Sequence, residues 1–210
     1  MKITFTLDDV IRAKTIQFGK IYKKYINPNI DLSSLDFSSG DLQSIFNFKN
    51  KKEFETFLYE DFAFEIFGEA TTCDKQLDKK LNLWLLSLQD NEDIDDLMPS
   101  FALSNPYEFN NSIGYSYFFV SKIATRIREV FFPSNSNDIW LKSNVVVTAD
   151  QRLLSGENVL SKGCIVVKIE TDYNKQYEAD LTYSSLLELL EDEEFFNKII
   201  EIKSKRNLTF

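Results

Sequence analysis

A chain of 210 residues with no histidine has a short list of groups that can do chemistry. Imidazole acid–base catalysis, Ser-His-Asp and Cys-His nucleophiles, and His-ligated zinc are all excluded. Cys73 and Cys164 are too few for a disulfide framework or a four-cysteine metal site, and Cys164 sits in an apolar run that reads as core. Six glycines hold neither a Walker loop nor G-x-G-x-x-G. What remains is the set of polar residues that directly follow apolar runs. These are Thr6 and Asp8 after KITFTL, Ser104 after Phe101–Leu103, and Thr148, Ala149 and Asp150 after the run at Val145. If those runs are neighbouring parallel strands, their carboxyl ends share one crevice, and ligands bind there in open α/β sheets.

The elements needed to build such a crevice are legible. Residues 2–7 alternate apolar positions, and Val145–Thr148 and Cys164–Ile169 are β-branched and continuous, as buried central strands are. Asp8-Asp9 opens a helical pattern through Val10, Ile11, Phe18, Ile21 and Tyr25 that Asn27-Pro28 stops. Further helices are expected over 52–67, from Leu77 to Leu88, over 113–130, and as one or two helices from Tyr183 to Ile202. Strands separated by helix-sized segments give a three-layer, Rossmann-like parallel α/β sheet with helices on both faces. The acidic stretch Asp90–Asp96 reads as a solvated loop. The longest apolar runs are strand-sized, and the opening residues are too short in apolar character for a signal peptide, so no membrane association is expected.

Three positions also have purely structural explanations. Asp8 suits a helix N-cap, Ser104 before Asn105-Pro106 suits a turn, and Asp150 suits a cap for a helix beginning at Gln151.

The opening KITFTLDDVIRAK resembles the first motif of haloacid dehalogenase-like hydrolases, an apolar strand ending in Asp-x-Asp-Gly-(Val/Thr). The 5′(3′)-deoxyribonucleotidase branch is the nearer likeness, through EFETFLYEDFAFEIFGEA at 53–70, FFVSKIA at 118–124 and VVKIETDYNK at 166–175. The resemblance implies a single domain over 1–210 with a helical cap inserted at about 27–75. In that family one Asp attacks phosphorus and binds Mg²⁺, and a second, two residues on, acts as the acid. A Ser/Thr and a Lys hold the phosphoryl oxygens, and later carboxylates complete the Mg²⁺ shell. Magnesium needs several hard oxygen ligands, so lost carboxylates are costly.

Carried over residue by residue, the nucleophile falls on Thr6, the acid on Asp8 and the family's Gly on Asp9. Ser104 keeps the hydroxyl. The Lys position lands near Ile113, with Lys122 two turns further on, and the acidic motif reduces to Ala149 and Asp150. The expectation is therefore a pseudoenzyme with no catalytic group, metal or cofactor. Degenerate relatives of this kind are similar to proteins encoded among the virion genes of crAss-like tailed phages. That similarity implies a structural component made in the host cytoplasm and built into the particle, in a portal–tail connector or ring. Its partners would be other virion proteins and copies of itself. The alternatives are a Mg²⁺-dependent deoxyribonucleotidase-like phosphohydrolase and a nucleotide-binding pseudoenzyme.

Composition bears on partners. A net charge of −9 argues against general nucleic-acid binding, and the small basic faces at Lys20–Lys24 and Arg126–Arg128 read as solvated. Nineteen Phe and nine Tyr are many. Phe37, Phe46, Phe48, Phe54 and Phe57 in the insertion are equally consistent with anchors for a protein interface and with the insertion's own small core.

Overall fold

The computed structural model describes residues 1–89, 99–105, 110–123, 126–156 and 163–209. The acidic stretch Asp90–Asp96, and Pro106 of the expected turn, lie outside the described residues.

Six strands form one sheet in the order β3-β2-β1-β4-β5-β6, and every neighbouring pair is parallel. They are β1 (Lys2–Thr6), β2 (Ser100–Ser104), β3 (Glu129–Phe131), β4 (Val145–Thr148), β5 (Ile165–Ile169) and β6 (Leu181–Tyr183). Period-two alternation sends Ile3, Phe5, Val145, Val147, Ile165 and Val167 to one face. There they meet α4 (Leu77–Gln89), α5 (Asn110–Ile123), α8 (Leu186–Glu191) and α9 (Phe195–Lys205). Val146, Val166 and Cys164 face the other way, against α6 (Ser136–Lys142) and α7 (Gln151–Leu154). Each of these fully buried aliphatics contributes roughly 1.5–3 kcal/mol of burial free energy. The sequence-based expectation of a three-layer parallel α/β sheet therefore holds. Among the described residues no helix is long and apolar enough to cross a membrane.

Three element boundaries differ from the sequence reading. The first helix, α1, spans Lys14–Tyr25 rather than starting at Asp8. Residues 7–13 instead make a compact turn in which the amides of Ile11 and Arg12 both donate to the Leu7 carbonyl, and Asp9 takes φ +55°. The segment 113–130 is not one helix, because α5 ends at Ile123 and Glu129–Phe131 pairs with β2. The short strand β6 precedes the two C-terminal helices.

Over the carboxyl end of the sheet lies a helical layer. It comprises α1, a 3₁₀ turn at Leu32–Ser34, α2 (Leu42–Ile45), α3 (Lys51–Thr56) and two π-helical turns, Phe57–Asp61 and Phe64–Gly68. Its outgoing and returning chains run side by side: Ala13 N–H donates to Thr71 O at 2.9 Å and Cys73 N–H to Ile11 O at 2.8 Å. The layer has its own core of Phe18, Tyr22, Phe46, Phe57, Ile66 and Phe67. Phe46 and Phe57 are sealed, while Phe37, Phe48 and Phe54 pack partly buried around them, with ring centroids 5.3 Å apart for Phe48–Phe57 and 5.5 Å for Phe48–Phe54. Phe46 and Phe57 are thus core residues of the layer and not available to a partner. Aromatic pairs in such tilted and edge-on arrangements add about 0.5–1.5 kcal/mol each beyond burial.

Candidate functional site

The crevice lies where the strand-end argument puts it. A cavity of about 220 Å³ opens between the ends of β1 and β4, the loop after β5, and the helical layer. Asp8, Asp9 and Asp150 line it from the sheet side, Asp41 and Tyr59 from the layer, and Tyr173 from the loop.

Of the positions that the resemblance points to, Thr6, Ser104, Ile113 and Ala149 do not line the cavity. Thr6 is fully buried, and its hydroxyl donates to Thr148 Oγ1 at 3.1 Å. Thr148 Oγ1 in turn accepts from the Asp150 amide at 3.0 Å. Neither threonine lines the cavity, and Ala149 is buried and apolar. Ser104 is paired with Thr6 across the β1–β2 ladder, and its buried Oγ has no hydrogen-bond partner among the described residues. Ile113 lies half-buried on α5, and Lys122 is exposed with its ammonium over the Phe118 and Phe119 rings, so neither reaches the cavity. Asp150 caps α7 through the Arg152 amide at 2.8 Å and pairs with the Arg152 guanidinium at 2.8 Å.

Asp8 is not a helix cap. Its Oδ1 accepts from Arg12 Nε at 2.8 Å and Nη2 at 2.5 Å, and its Oδ2 is 2.9 Å from Lys14 Nζ. Arg12 is fully buried, and its Nη1 also donates to Phe67 O at 3.0 Å and to Ser116 Oγ at 2.6 Å. The guanidinium lies 5.0 Å from the Phe67 ring centroid and 5.5 Å from that of Phe119. One side chain therefore ties the β1 turn to the helical layer and to α5. Burial alone would raise the Asp8 pKa, but the Arg12 and Lys14 charges outweigh it and hold the carboxyl well below the ordinary range. The same pairing raises Lys14 against the effect of its own burial.

Asp9 performs the capping. It accepts from Thr15 N–H at 3.0 Å and Thr15 Oγ1 at 2.5 Å, satisfying an amide in the first turn of α1, whose neighbouring Ala13 supplies no side-chain cap. Tyr173 donates its hydroxyl to Asp9 Oδ2 at 2.8 Å. Burial, with a smaller contribution from Asp8, raises the Asp9 pKa despite the Thr15 bonds, and burial followed by Asp9 raises that of Tyr173. The loop carrying Tyr173 is fixed from below: Asn174 Nδ2 donates to Ala149 O and Ile169 O, and buried Lys168 donates to Tyr177 O at 2.9 Å.

The donor set does not fit the magnesium ion that the fold family implies. Asp8 offers no oxygen without a cation on it, Asp9 is held by three donors, Asp150 caps α7 and pairs with Arg152, and positions 6 and 149 carry no carboxylate. The Asp8 shift also runs opposite to that of a general acid, which holds its proton near the working pH. Both cysteines are raised by burial, Cys164 to about 11, so neither is a thiolate nucleophile.

The sequence reading missed Arg12, Lys14, Asp41, Arg152 and Tyr173, and it placed Asp9 at the family's Gly position without its capping role. The spacing Asp8–Arg12–Lys14 was the available signal, and it was masked by the assumption that a helix ran through it.

No family model matches the chain, and no curated protein matches it. Among solved structures, the crystal structure of a haloacid dehalogenase-like hydrolase from Burkholderia xenovorans LB400 aligns with a TM-score of 0.52. The alignment covers 93% of this chain and 97% of that one at 11% identity. The likeness is one of fold: the chain has a haloacid dehalogenase-like fold.

Proposed function

We propose that the chain is a catalytically silent protein of this fold, used as a structural part of a tailed-phage particle in a portal–tail connector or ring. The observation that carries the silent half is the Arg12–Asp8–Lys14 cluster, in which the one carboxylate left at the family's Asp-x-Asp positions is held ionised by built-in cations. Thr6 supports it, since its buried hydroxyl is bonded to Thr148 and does not line the cavity. The particle half rests on the sequence resemblance to degenerate nucleotidase-like virion proteins, and on the argument that a fold which has shed its chemistry persists for its surfaces.

Purified protein incubated with Mg²⁺ and deoxynucleoside monophosphates should release no phosphate. Turnover that disappears in Asp8→Asn would overturn the silent reading. For the particle half, immobilised chain should retain portal or tail proteins from disrupted particles, and failure to retain any would remove it.

A second reading, nucleotide binding without turnover, is favoured by Lys14 and Arg152 facing the cavity beside the Tyr59 and Tyr173 rings. A rise in melting temperature with deoxynucleotides, abolished in Arg152→Ala, would establish it.

A further inference from the structure

The two edges of the sheet carry opposite charge. At the β3 edge, residues 110–128 contain no Asp or Glu but include Lys122, Arg126 and Arg128, all exposed; Glu129 of β3 itself is answered by Lys2, and Lys142 of α6 reaches over the Phe131 ring at 5.1 Å. The same edge exposes aromatic surface: Tyr117 and Phe118 are 48% and 45% exposed, far above what a core ring shows. Phe118 continues into Phe64 of the helical layer at 5.3 Å, and Tyr117 into Phe132 at 5.1 Å. At the β6 edge, residues 176–197 contain no Lys or Arg but include Glu178, Glu188, Glu191, Asp192, Glu193 and Glu194. Lys80, Lys198 and Arg206 answer Glu191, Asp192 and Asp180 there, while Glu178, Glu188, Glu193 and Glu194 are exposed.

We propose that copies of this chain associate head to tail, the basic-aromatic β3 edge of one against the acidic β6–α8 edge of the next. The choice of a second copy follows from charge and direction. Because every ladder is parallel, the outer edges of β3 and β6 run the same way, and a head-to-tail neighbour keeps that direction. A two-fold dimer through either edge would place like charge on like, an arrangement that costs several kcal/mol. A polyanion such as single-stranded DNA could also contact cations and rings, but the net charge of −9 opposes it. The inference gives a partner to the structural role proposed above and rests on that role only for its purpose. A head-to-tail contact closes into a ring or runs on as a filament.

The test is sedimentation velocity of the full chain across a wide concentration range at low and high salt. Two variants serve as arms, Lys122→Glu/Arg128→Glu and Glu178→Lys/Glu193→Lys; all four positions are exposed, and circular dichroism checks that each variant folds. Wild type should associate at low salt and dissociate as salt screens the contact. Each variant alone should weaken association by at least about tenfold, and mixing the two should restore it, because each retains one native edge and the reversed edges complement each other. A wild type that stays monomeric at every concentration overturns the proposal. So does association that only the β3-edge variant disturbs, which would mean a symmetric contact. Tight binding of a mixed-sequence DNA oligonucleotide by a monomer, lost in the β3-edge variant, assigns that edge to nucleic acid instead. Phosphate release bears on the silent reading and leaves this test untouched.

Discussion

Arg12 and Asp8 stand four residues apart and form an ion pair, yet no helix connects them; they meet across the Leu7–Ala13 turn, with Asp9 at φ +55° between them. The turn brings the guanidinium back over the end of β1, where it also bonds the helical layer at Phe67 and helix α5 at Ser116.

Removing Arg12 should be among the most damaging single changes in the chain. Arg12→Met leaves the Asp8 carboxylate largely buried without its main counter-charge and breaks the tie to Phe67 and Ser116, so a loss of about 3–5 kcal/mol is expected. Asp8→Asn in the same background should recover part of it. Urea unfolding of the two single variants and the double variant gives the coupling directly.

Acid titration should separate the two neighbouring aspartates. Asp8 is depressed in the folded state, so the stability it adds is present above the ordinary carboxylate range and is lost only as pH falls below it. Asp9 is raised, so its effect has the opposite sign: stability is greatest below the unfolded carboxylate pKa and declines as pH rises through the elevated folded value. Asp9→Asn should therefore flatten the decline on the mildly acidic side. Melting temperature of wild type minus that of the variant, followed from pH 4 to pH 8, should fall as pH rises.

Placing an aspartate at position 6 should not create phosphatase chemistry. Thr6→Asp places a carboxylate in a fully buried site beside Thr148, with no cation within its own bonding set, so a destabilised protein without Mg²⁺-dependent phosphate release is expected. Measurable turnover in that variant would show that the crevice supports phosphoryl chemistry and would count against the silent reading.

Gly40 is held at φ +65° where the helical layer meets α7, and an added Cβ would lie 2.6 Å from the Gln151 side-chain amide. Gly40→Ala should cost about 1–2 kcal/mol for the left-handed backbone. The steric share should vanish when Gln151→Ala is added, because the obstructing group is the far end of a flexible side chain. Chemical denaturation of both variants tests the split.

Truncating Phe46, fully enclosed by Phe18, Tyr22 and Phe37, should destabilise by about 3–5 kcal/mol. Near-ultraviolet circular dichroism of Phe46→Ala would report whether the aromatic core of the layer stays ordered.

The sheet was readable because Val145–Thr148 and Ile165–Ile169 are continuous β-branched runs, and such runs have few other uses. The short edge strands were not: Glu129–Phe131 follows a helical pattern closely enough to be absorbed into it, and Leu181–Tyr183 is too short to show a period. The π-helical turns at 57–68 have a repeat longer than 3.6, so the apolar spacing there pointed to a helix of the wrong kind. At the site, that positions 6 and 149 carry Thr and Ala where the resemblance expects carboxylates could be read from residue type alone. The replacement could not, because Arg12 at the end of an apolar stretch looks like the solvent face of a helix until the turn beneath it is known.

The side-by-side backbone bonds joining Ala13 to Thr71 and Ile11 to Cys73 make the excursion above the sheet a detour that returns to its own starting point. Material can be added to or taken from that detour without altering the order or direction of any strand. Evolution could thus have remodelled the upper storey of this molecule freely while leaving its foundation untouched.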